Sequence, residues 1–166
     1  TGELKVPTKQ DVADTARMVD ALLNVDVYER AVVAEDIDQR VVHLHQYEAW
    51  TTNTSKHGFM GSGNGFLSRK LAEMAAVIAG GRDKLRERPL ISFITCPVSP
   101  LKLVQDTCEI IMTAAREHLA VNILSMAMAG GSSPVTLAGT LVTHNAEVLA
   151  GLTLSQLTRP GAAVVY

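Results

Sequence analysis

The chain has 166 residues, of which 47% are hydrophobic and 19% are charged, a composition that predicts a folded domain rather than a disordered segment. The 15 basic and 17 acidic residues are mixed along the chain, so neither nucleic acid nor an anionic membrane is expected as a partner. Cys96 and Cys108 stand far apart without a CxxC spacing, which argues against a disulfide framework and favours a reducing, cytoplasmic compartment.

An uncharged stretch in the second half raises the question of a membrane span. Residues 118–146 contain no Asp, Glu, Lys or Arg. The turn-forming residues 129–134 interrupt this stretch, and several threonines follow them. We therefore predict no transmembrane helix here.

Both chain ends predict an internal segment of a larger protein. The sequence begins with Thr1 rather than Met, and the apolar residues 162–166 indicate a strand at which the chain stops. We interpret residues 1–166 as part of a single domain.

In its first half the chain alternates short apolar runs with helical patterns. Thr8 and Asp11 have the spacing of a capping box and predict a helix that ends near Leu23. The elements predicted after it are a strand at 31–34, a helix at 38–53, a strand at 57–61, a glycine-rich turn at 61–65 and a helix at 67–78 that stops at two glycines.

The second half repeats this alternation. Ser133 as N-cap and Pro134 as the first helical residue predict the start of a long last helix. The predicted elements are a strand at 90–95, a helix at 101–118, a strand at 120–128, the last helix to about 158 and a final strand from 162.

Strands this apolar, separated by helices, predict a parallel sheet covered by helices. About five strands are predicted. A doubly wound sheet of flavodoxin type suits the length, whereas a (β/α)8 barrel needs roughly 250 residues and would be present only in part. The elements alone leave both architectures open.

The last predicted helix is unusually poor in charge. Between residues 134 and 158, Glu147 is the only formally charged residue. Because a surface helix normally has a charged face, we predict that this one is covered, by further parts of the protein or by a partner subunit of a homo-oligomer. His144 shares a helical stripe with Thr136, Thr140 and Glu147, which we interpret as polar groups at a packed interface.

The glycine-rich turn at 61–65 lies between a strand and a helix, where backbone amides can hold an anion. It is not a GxGxxG fingerprint, because Phe66 stands where the third glycine is needed. A flexible loop at a barrel mouth is the alternative. Asn64 in this turn and Gly130 in the later turn are candidate cofactor contacts, whereas capping explains Ser133.

Other candidate groups point less clearly to chemistry. Cys96 follows a strand at its C-terminal end, where parallel folds place active sites, but no base can be identified near it, so a structural thiol is the preferred interpretation. His43 and His45 point to nearly opposite sides of a helix, and no histidine has a metal-ligand spacing. No metal site is predicted.

The sequence has few aromatic residues, which a site for a quaternary ammonium ligand would need. Such a cation cannot donate hydrogen bonds and is held by the faces of aromatic rings. Phe59, Phe93 and Tyr166 fall on predicted strands and are the candidate substrate-binding residues. Met126 and Met128 straddle a strand end and are candidates to line a cofactor pocket, with core packing as the alternative.

Three segments of the chain resemble one family. Residues 125–166, SMAMAGGSSPVTLAGTLVTHNAEVLAGLTLSQLTRPGAAVVY, closely resemble the trimethylamine methyltransferase family. The opening TGELKVPTKQDVADTARMVDAL and the stretch TNTSKHGF are similar to earlier family segments in the same order. The resemblance spans nearly the whole chain, and its last segment is long enough to be specific.

The resemblance implies a partial (β/α)8 TIM barrel whose C-terminal mouth binds a methylated amine. It also implies a separate corrinoid protein that docks there and whose cobalamin accepts the methyl group. The archaeal family members that use trimethylamine carry pyrrolysine, at a position that would lie beyond Tyr166. Some relatives without pyrrolysine act on quaternary amines such as glycine betaine, and this segment is compatible with either group.

Two other hypotheses stay open. One is another barrel enzyme, such as a lyase or isomerase with a phosphorylated substrate, which anion binding at the turn 61–65 would favour. The other is a non-catalytic relative or scaffold that binds a corrinoid protein or a small ligand.

Overall fold

The computed structural model describes residues 2–166, which form one five-stranded parallel sheet and six helices. In chain order the elements are α1 (Lys9–Ala21), β1 (Val27–Glu29), α2 (Val42–Thr51), β2 (His57–Met60), α3 (Gly65–Ala79), α4 (Arg82–Glu87), β3 (Ile91–Thr95), α5 (Gln105–Glu117), β4 (Val121–Ile123), α6 (Leu137–Thr158) and β5 (Val164–Val165).

The strands lie in the sheet in the same order as in the chain, and every neighbouring pair is parallel. A doubly wound sheet instead reverses its strand order at a switch point. Helices α1, α2, α3, α5 and α6 contact one another in succession and so form one layer. The prediction of a partial TIM barrel with five parallel strands is confirmed, and the flavodoxin-type order is excluded.

The hydrophobic core lies between the sheet and this helix layer. Tyr28, Met60, Phe93 and Val121 occupy four neighbouring strands, and each is at most 2% exposed. Because side chains alternate along a strand, the residues between them face the other side of the sheet, called here the inner face. No described helix covers the inner face, and this is what an open part of a barrel requires.

Local sequence signals set several helix ends. Thr8 caps α1, its side chain accepting from the Asp11 backbone while Asp11 accepts from the Thr8 backbone, so the predicted capping box is confirmed. The predicted stop of α3 is also confirmed, because Gly80 adopts a left-handed conformation with φ of 83°.

A close approach between α2 and β2 depends on a glycine. Trp50 is 2% exposed, and its ring lies over Gly58. A Cβ atom on Gly58 would come within 2.4 Å of the indole ring. The Trp50 ring also stacks at a tilt on Tyr28, with 5.5 Å between ring centroids, and so joins α2 to two strands.

Several predicted boundaries were wrong. The first strand lies at Val27–Glu29 rather than at 31–34, and β4 is only three residues long. Helix α5 begins at Gln105 rather than at 101, and α4 was not predicted. The last helix begins after Thr136, whose side chain accepts from the Gly139 backbone, so Ser133 is not its N-cap.

The covering predicted for the last helix is not present among residues 2–166. Leu137, Leu141, Val142 and Leu157 on α6 are each 65% exposed or more. Within the described chain no helix is long and apolar enough to span a membrane.

Candidate functional site

A cavity of about 480 Å³ lies where the C-terminal ends of the first three strands and the loop after β4 meet. Parallel α/β proteins place their active sites at this edge of the sheet, here called the mouth. The lining of this mouth cavity includes Glu29, Arg30, Phe59, Gly61, Ile94, Thr95, Cys96, Thr107 and Leu124. A wider depression of about 590 Å³ lies at the opposite edge, beside Lys56 and Leu90, which precede β2 and β3. We take the smaller cavity as the candidate site because it lies at the mouth.

Arg30 is the cation of the mouth cavity. It follows the last residue of β1 and is half-buried, and burial lowers the pKa of its guanidinium. Its Nη1 donates to Oε1 of Gln46 at 2.8 Å and lies 3.1 Å from Nδ1 of His43. Both partners are on α2, so the helix layer fixes an arginine at the sheet edge.

His43 accepts the hydrogen bond from Arg30, because a guanidinium can only donate. Burial and then the charge of Arg30 lower the pKa of the imidazole, so His43 is neutral at neutral pH with its proton on Nε2. That nitrogen points to the glycine turn, since a Cβ on Gly63 would lie 3.1 Å from it. The neutral ring leaves the charge of Arg30 uncompensated.

Glu147 joins the loops that follow β3 and β4. Its carboxylate accepts from the Oγ of Ser99 at 2.8 Å, from the backbone N–H of Leu101 at 2.8 Å and from the Oγ of Ser125 at 2.6 Å. Burial alone would raise the pKa of Glu147, but these hydrogen bonds outweigh it and hold the pKa below its ordinary value. The ionised Glu147 therefore fixes two mouth loops against α6.

The glycine-rich turn is held by its own polar groups. The Asn64 side chain accepts from the backbone N–H of Leu67 at 2.9 Å and so caps α3. This structural role is sufficient to explain an asparagine at this position. The Ser62 hydroxyl is buried and lies 2.6 Å from the Ser68 hydroxyl. Gly61 and Gly63 line the mouth cavity.

The three predicted substrate-binding aromatics do not come together. Phe59 is half-buried on the inner face and lines the mouth cavity. Phe93 is fully buried and pairs in register with Met60, so it points to the helix layer. Tyr166 is 71% exposed, and its hydroxyl donates to Oδ1 of Asn145 at 2.8 Å.

The predicted cofactor residues of the second turn lie in the loop after β4. Met126 and Met128 are 57% and 65% exposed, so they do not fill the core of the described chain. Gly130 has φ of 76°, a conformation that favours glycine, and its N–H donates to the carbonyl of Ser133. This loop forms an apolar rim beyond the end of β4.

Two other groups singled out by their chemistry lie near the sheet. Cys96 is an exposed residue in the lining of the mouth cavity, and partial burial of its sulfur raises the pKa of the thiol. On the inner face, Nε2 of His57 lies 2.7 Å from the Oγ of Ser92, while Nδ1 lies 3.1 Å from the Pro89 carbonyl. Ser92 is 4% exposed near the N-terminal end of its strand, so the pair satisfies polar groups away from the mouth.

Within 2–166 no three His, Cys, Asp or Glu side chains are placed to hold a metal ion.

Sequence reasoning missed Glu29 and Arg30 because it placed the first strand at 31–34. The sequence signal for this site was the charged pair Glu29 and Arg30, which directly follows residues 27–28 at the C-terminal end of a strand. The Glu147 hydrogen bonds were also missed, since their donors come from loops 22 to 48 positions away.

Comparison with known proteins gives a consistent result along the chain. The model of the family described as trimethylamine methyltransferase (MTTB) matches residues 2–166. The chain is 49% identical over 166 residues to the trimethylamine methyltransferase MttB of Desulfitobacterium hafniense, covering 100% of this chain and 34% of that protein. It is 46% identical over 160 residues to MttB1 of Methanosarcina mazei, covering 95% and 32%.

A relative with a different named substrate also matches. The glycine betaine methyltransferase of Desulfitobacterium hafniense is 35% identical over 167 residues, covering 99% of this chain and 35% of that protein. The chain spans about a third of the length of these relatives.

Proposed function

Because the chain belongs to the trimethylamine methyltransferase family, we propose that the complete protein transfers a methyl group from a methylated amine to the cob(I)alamin of a corrinoid protein. The observation that carries this proposal is the family match over residues 2–166. The relatives named for trimethylamine and for glycine betaine support a methylated amine as the methyl donor.

In this proposal the mouth cavity binds the methylated nitrogen. Phe59 presents an aromatic ring on the inner face, and Glu29 is its register partner on β1, so a carboxylate lies beside that ring. A methylated cation is attracted by both groups, since a ring face and a carboxylate each act without accepting a conventional hydrogen bond. Desolvation and positioning are then the main contributions of the protein.

The acceptor supplies the nucleophile when the corrinoid protein is bound. The rim formed by the loop after β4 offers an apolar surface to a docking corrinoid protein, because Met126, Met128 and Val135 are each more than half exposed. No charged residue occurs between 118 and 146, so approach of such a partner desolvates no formal charge there.

Acid–base catalysis depends on the donor. Cleavage of the C–N bond leaves the electron pair on nitrogen, so a quaternary ammonium departs as a neutral amine and needs no acid. A tertiary amine must first become cationic by protonation or by forming an adduct. The absence of a nucleophile–base pair among the described residues of the mouth cavity is compatible with the first case.

The test uses the complete protein with cob(I)alamin and a panel of trimethylamine, glycine betaine, carnitine and proline betaine. The absorbance change from cob(I)alamin to methylcobalamin is followed for each amine. We expect methylation with at least one of them. Folded protein that methylates with none would overturn the proposal in favour of a non-catalytic relative.

A further inference from the structure

Arg30 carries a charge that residues 2–166 do not neutralise. It is half-buried in the lining of the mouth cavity, and no Asp or Glu oxygen of the described chain lies within 4.0 Å of its guanidinium. Neighbouring Glu29 acts on it only at longer range. A half-buried, unpaired guanidinium is costly unless an anion binds it, so its presence at a cavity points to an anionic ligand.

The guanidinium is held in place before any ligand arrives. Nη1 is occupied by two uncharged acceptors, His43 and Gln46, which orient the group without neutralising it. Gln46 is 0% exposed, so the orienting amide is fixed in the core. An arginine fixed in this way loses little side-chain entropy when a ligand binds.

One side of the guanidinium remains available for binding. Nη2 and Nε donate to no atom of the described residues. Nη2 faces the glycine turn, since a Cβ built on Gly61 would lie 3.8 Å from it. Two parallel N–H donors on a planar group match the two oxygens of a carboxylate.

The mouth cavity therefore contains groups that favour a cation and a group that favours an anion. Phe59 and Glu29 favour a methylated cation, and Arg30, the next residue in the chain, favours an anion. We propose that Arg30 is a carboxylate subsite, so that the methyl donor is a zwitterion that carries a methylated ammonium and a carboxylate. This proposal rests on the proposed function and narrows its substrate class to betaines, excluding trimethylamine as the preferred donor.

The test compares two ligands that differ only at the subsite. Glycine betaine and choline have the same trimethylammonium head, but choline carries a hydroxymethyl group where glycine betaine carries a carboxylate. Binding of each to the complete protein is measured by calorimetry without a corrinoid protein, for the wild type and for Arg30→Gln, Arg30→Lys and Arg69→Gln. Arg69 is an exposed arginine on α3 and serves as the matched control.

We expect the wild type to bind glycine betaine at least tenfold more tightly than choline. Arg30→Gln should remove this preference by weakening betaine binding 10- to 100-fold while leaving choline unchanged. Arg30→Lys should retain part of the preference, because lysine keeps the positive charge but lacks the paired donors of the guanidinium. Arg69→Gln should behave like the wild type.

Three results would overturn the subsite. Equal binding of the two ligands by the wild type is the first, and equal weakening of both by Arg30→Gln is the second. The third is displacement of glycine betaine by inorganic phosphate at similar concentration, which would assign Arg30 to a phosphorylated ligand.

The methyl-transfer panel separates this proposal from the proposed function. Turnover of trimethylamine with no binding of glycine betaine would retain the methyltransferase and reject the carboxylate subsite. Betaine binding that depends on Arg30, without methyl transfer from any amine, would retain the subsite and reject the methyltransferase.

Discussion

Glu147 accepts a 2.8 Å hydrogen bond from the hydroxyl of Ser99, although the two residues are 48 positions apart in the chain. The same carboxylate accepts from the loop after β4 through Ser125. Helix α6, which is poor in charge, thus uses its one carboxylate to fix two loops at the mouth.

Replacement of Glu147 should destabilise the fold. Glu147→Ala leaves three donors without an acceptor, two of them on the half-buried Ser99 and Ser125, and the expected loss of unfolding free energy is roughly 2–4 kcal/mol. Glu147→Gln should cost less, because it keeps one acceptor oxygen. Denaturant unfolding measures both variants. Glu73→Gln, on the exposed side of α3, should remain close to the wild type, and equal stability of all three variants would contradict this role of Glu147.

Gly58→Ala should disrupt the contact between α2 and β2. The new Cβ would come within 2.4 Å of the Trp50 ring, which is buried and cannot move away freely. We expect a loss of about 1–3 kcal/mol in unfolding free energy. In Gly131→Ala the nearest side-chain atom is 3.6 Å away, so this control should unfold like the wild type.

The capping box of α1 should make stability depend on pH. Hydrogen bonds from Lys5 and then from the Thr8 side chain and backbone lower the pKa of Asp11 to about 2. In the unfolded chain this carboxyl titrates near its ordinary pKa of about 3.9. Its ionised form therefore stabilises the fold above that pH, and the contribution is lost as the pH falls from about 4 towards 2.

The measurement compares wild type and Asp11→Asn by denaturant unfolding between pH 7 and pH 3. The wild type should be more stable at pH 7, and the difference should shrink at pH 3. Lys5→Gln should reproduce part of the loss at pH 7. A difference that is constant across this range would show that Asp11 does not act through its charge.

Phe59→Ala should weaken binding of the methylated amine by the complete protein. Loss of one ring face from a cation site costs about 0.5–2 kcal/mol, which corresponds to roughly 2- to 30-fold in affinity. Phe66→Ala removes the same side chain from an exposed site on α3 and should leave affinity unchanged. Calorimetric titration with choline tests the ring without involving the Arg30 subsite.

Residues 1–166 alone should not transfer methyl groups. The inner face has no cover among the described residues, and β1 and β5 each pair along one edge only. The cob(I)alamin absorbance assay, run beside the complete protein, tests this prediction. Methyl transfer by the isolated segment would show that the mouth needs no further elements.

Much of the fold was predictable because local patterns set it. The capping box, the Gly80 stop and strands β2 and β3 were located from residue types alone. The start of α6 was not, because Ser133 and Thr136 are both good caps and only the folded loop decides between them. The hydroxyl of Ser133 does not cap the helix and instead lies 3.0 Å from the hydroxyl of Thr140.

The candidate site was predictable only in part. Phe59 was a candidate because of its residue type, and the structure places it in the lining of the mouth cavity. Phe93 has the same chemistry, but one position of strand register sends its ring to the helix layer. Arg30 depends on contacts with α2, and no spacing in the sequence specifies them.

The sequential strand order has a kinetic consequence. Val27 pairs with His57, 30 positions later, and Gly58 pairs with Ile91, 33 positions later. Phe93 and Val121 are 28 positions apart. Since the entropy of closing a loop changes slowly with its length, each of these closures has a similar cost. The sheet can therefore grow one strand at a time as the chain leaves the ribosome, each new strand docking on a neighbour that is already in place.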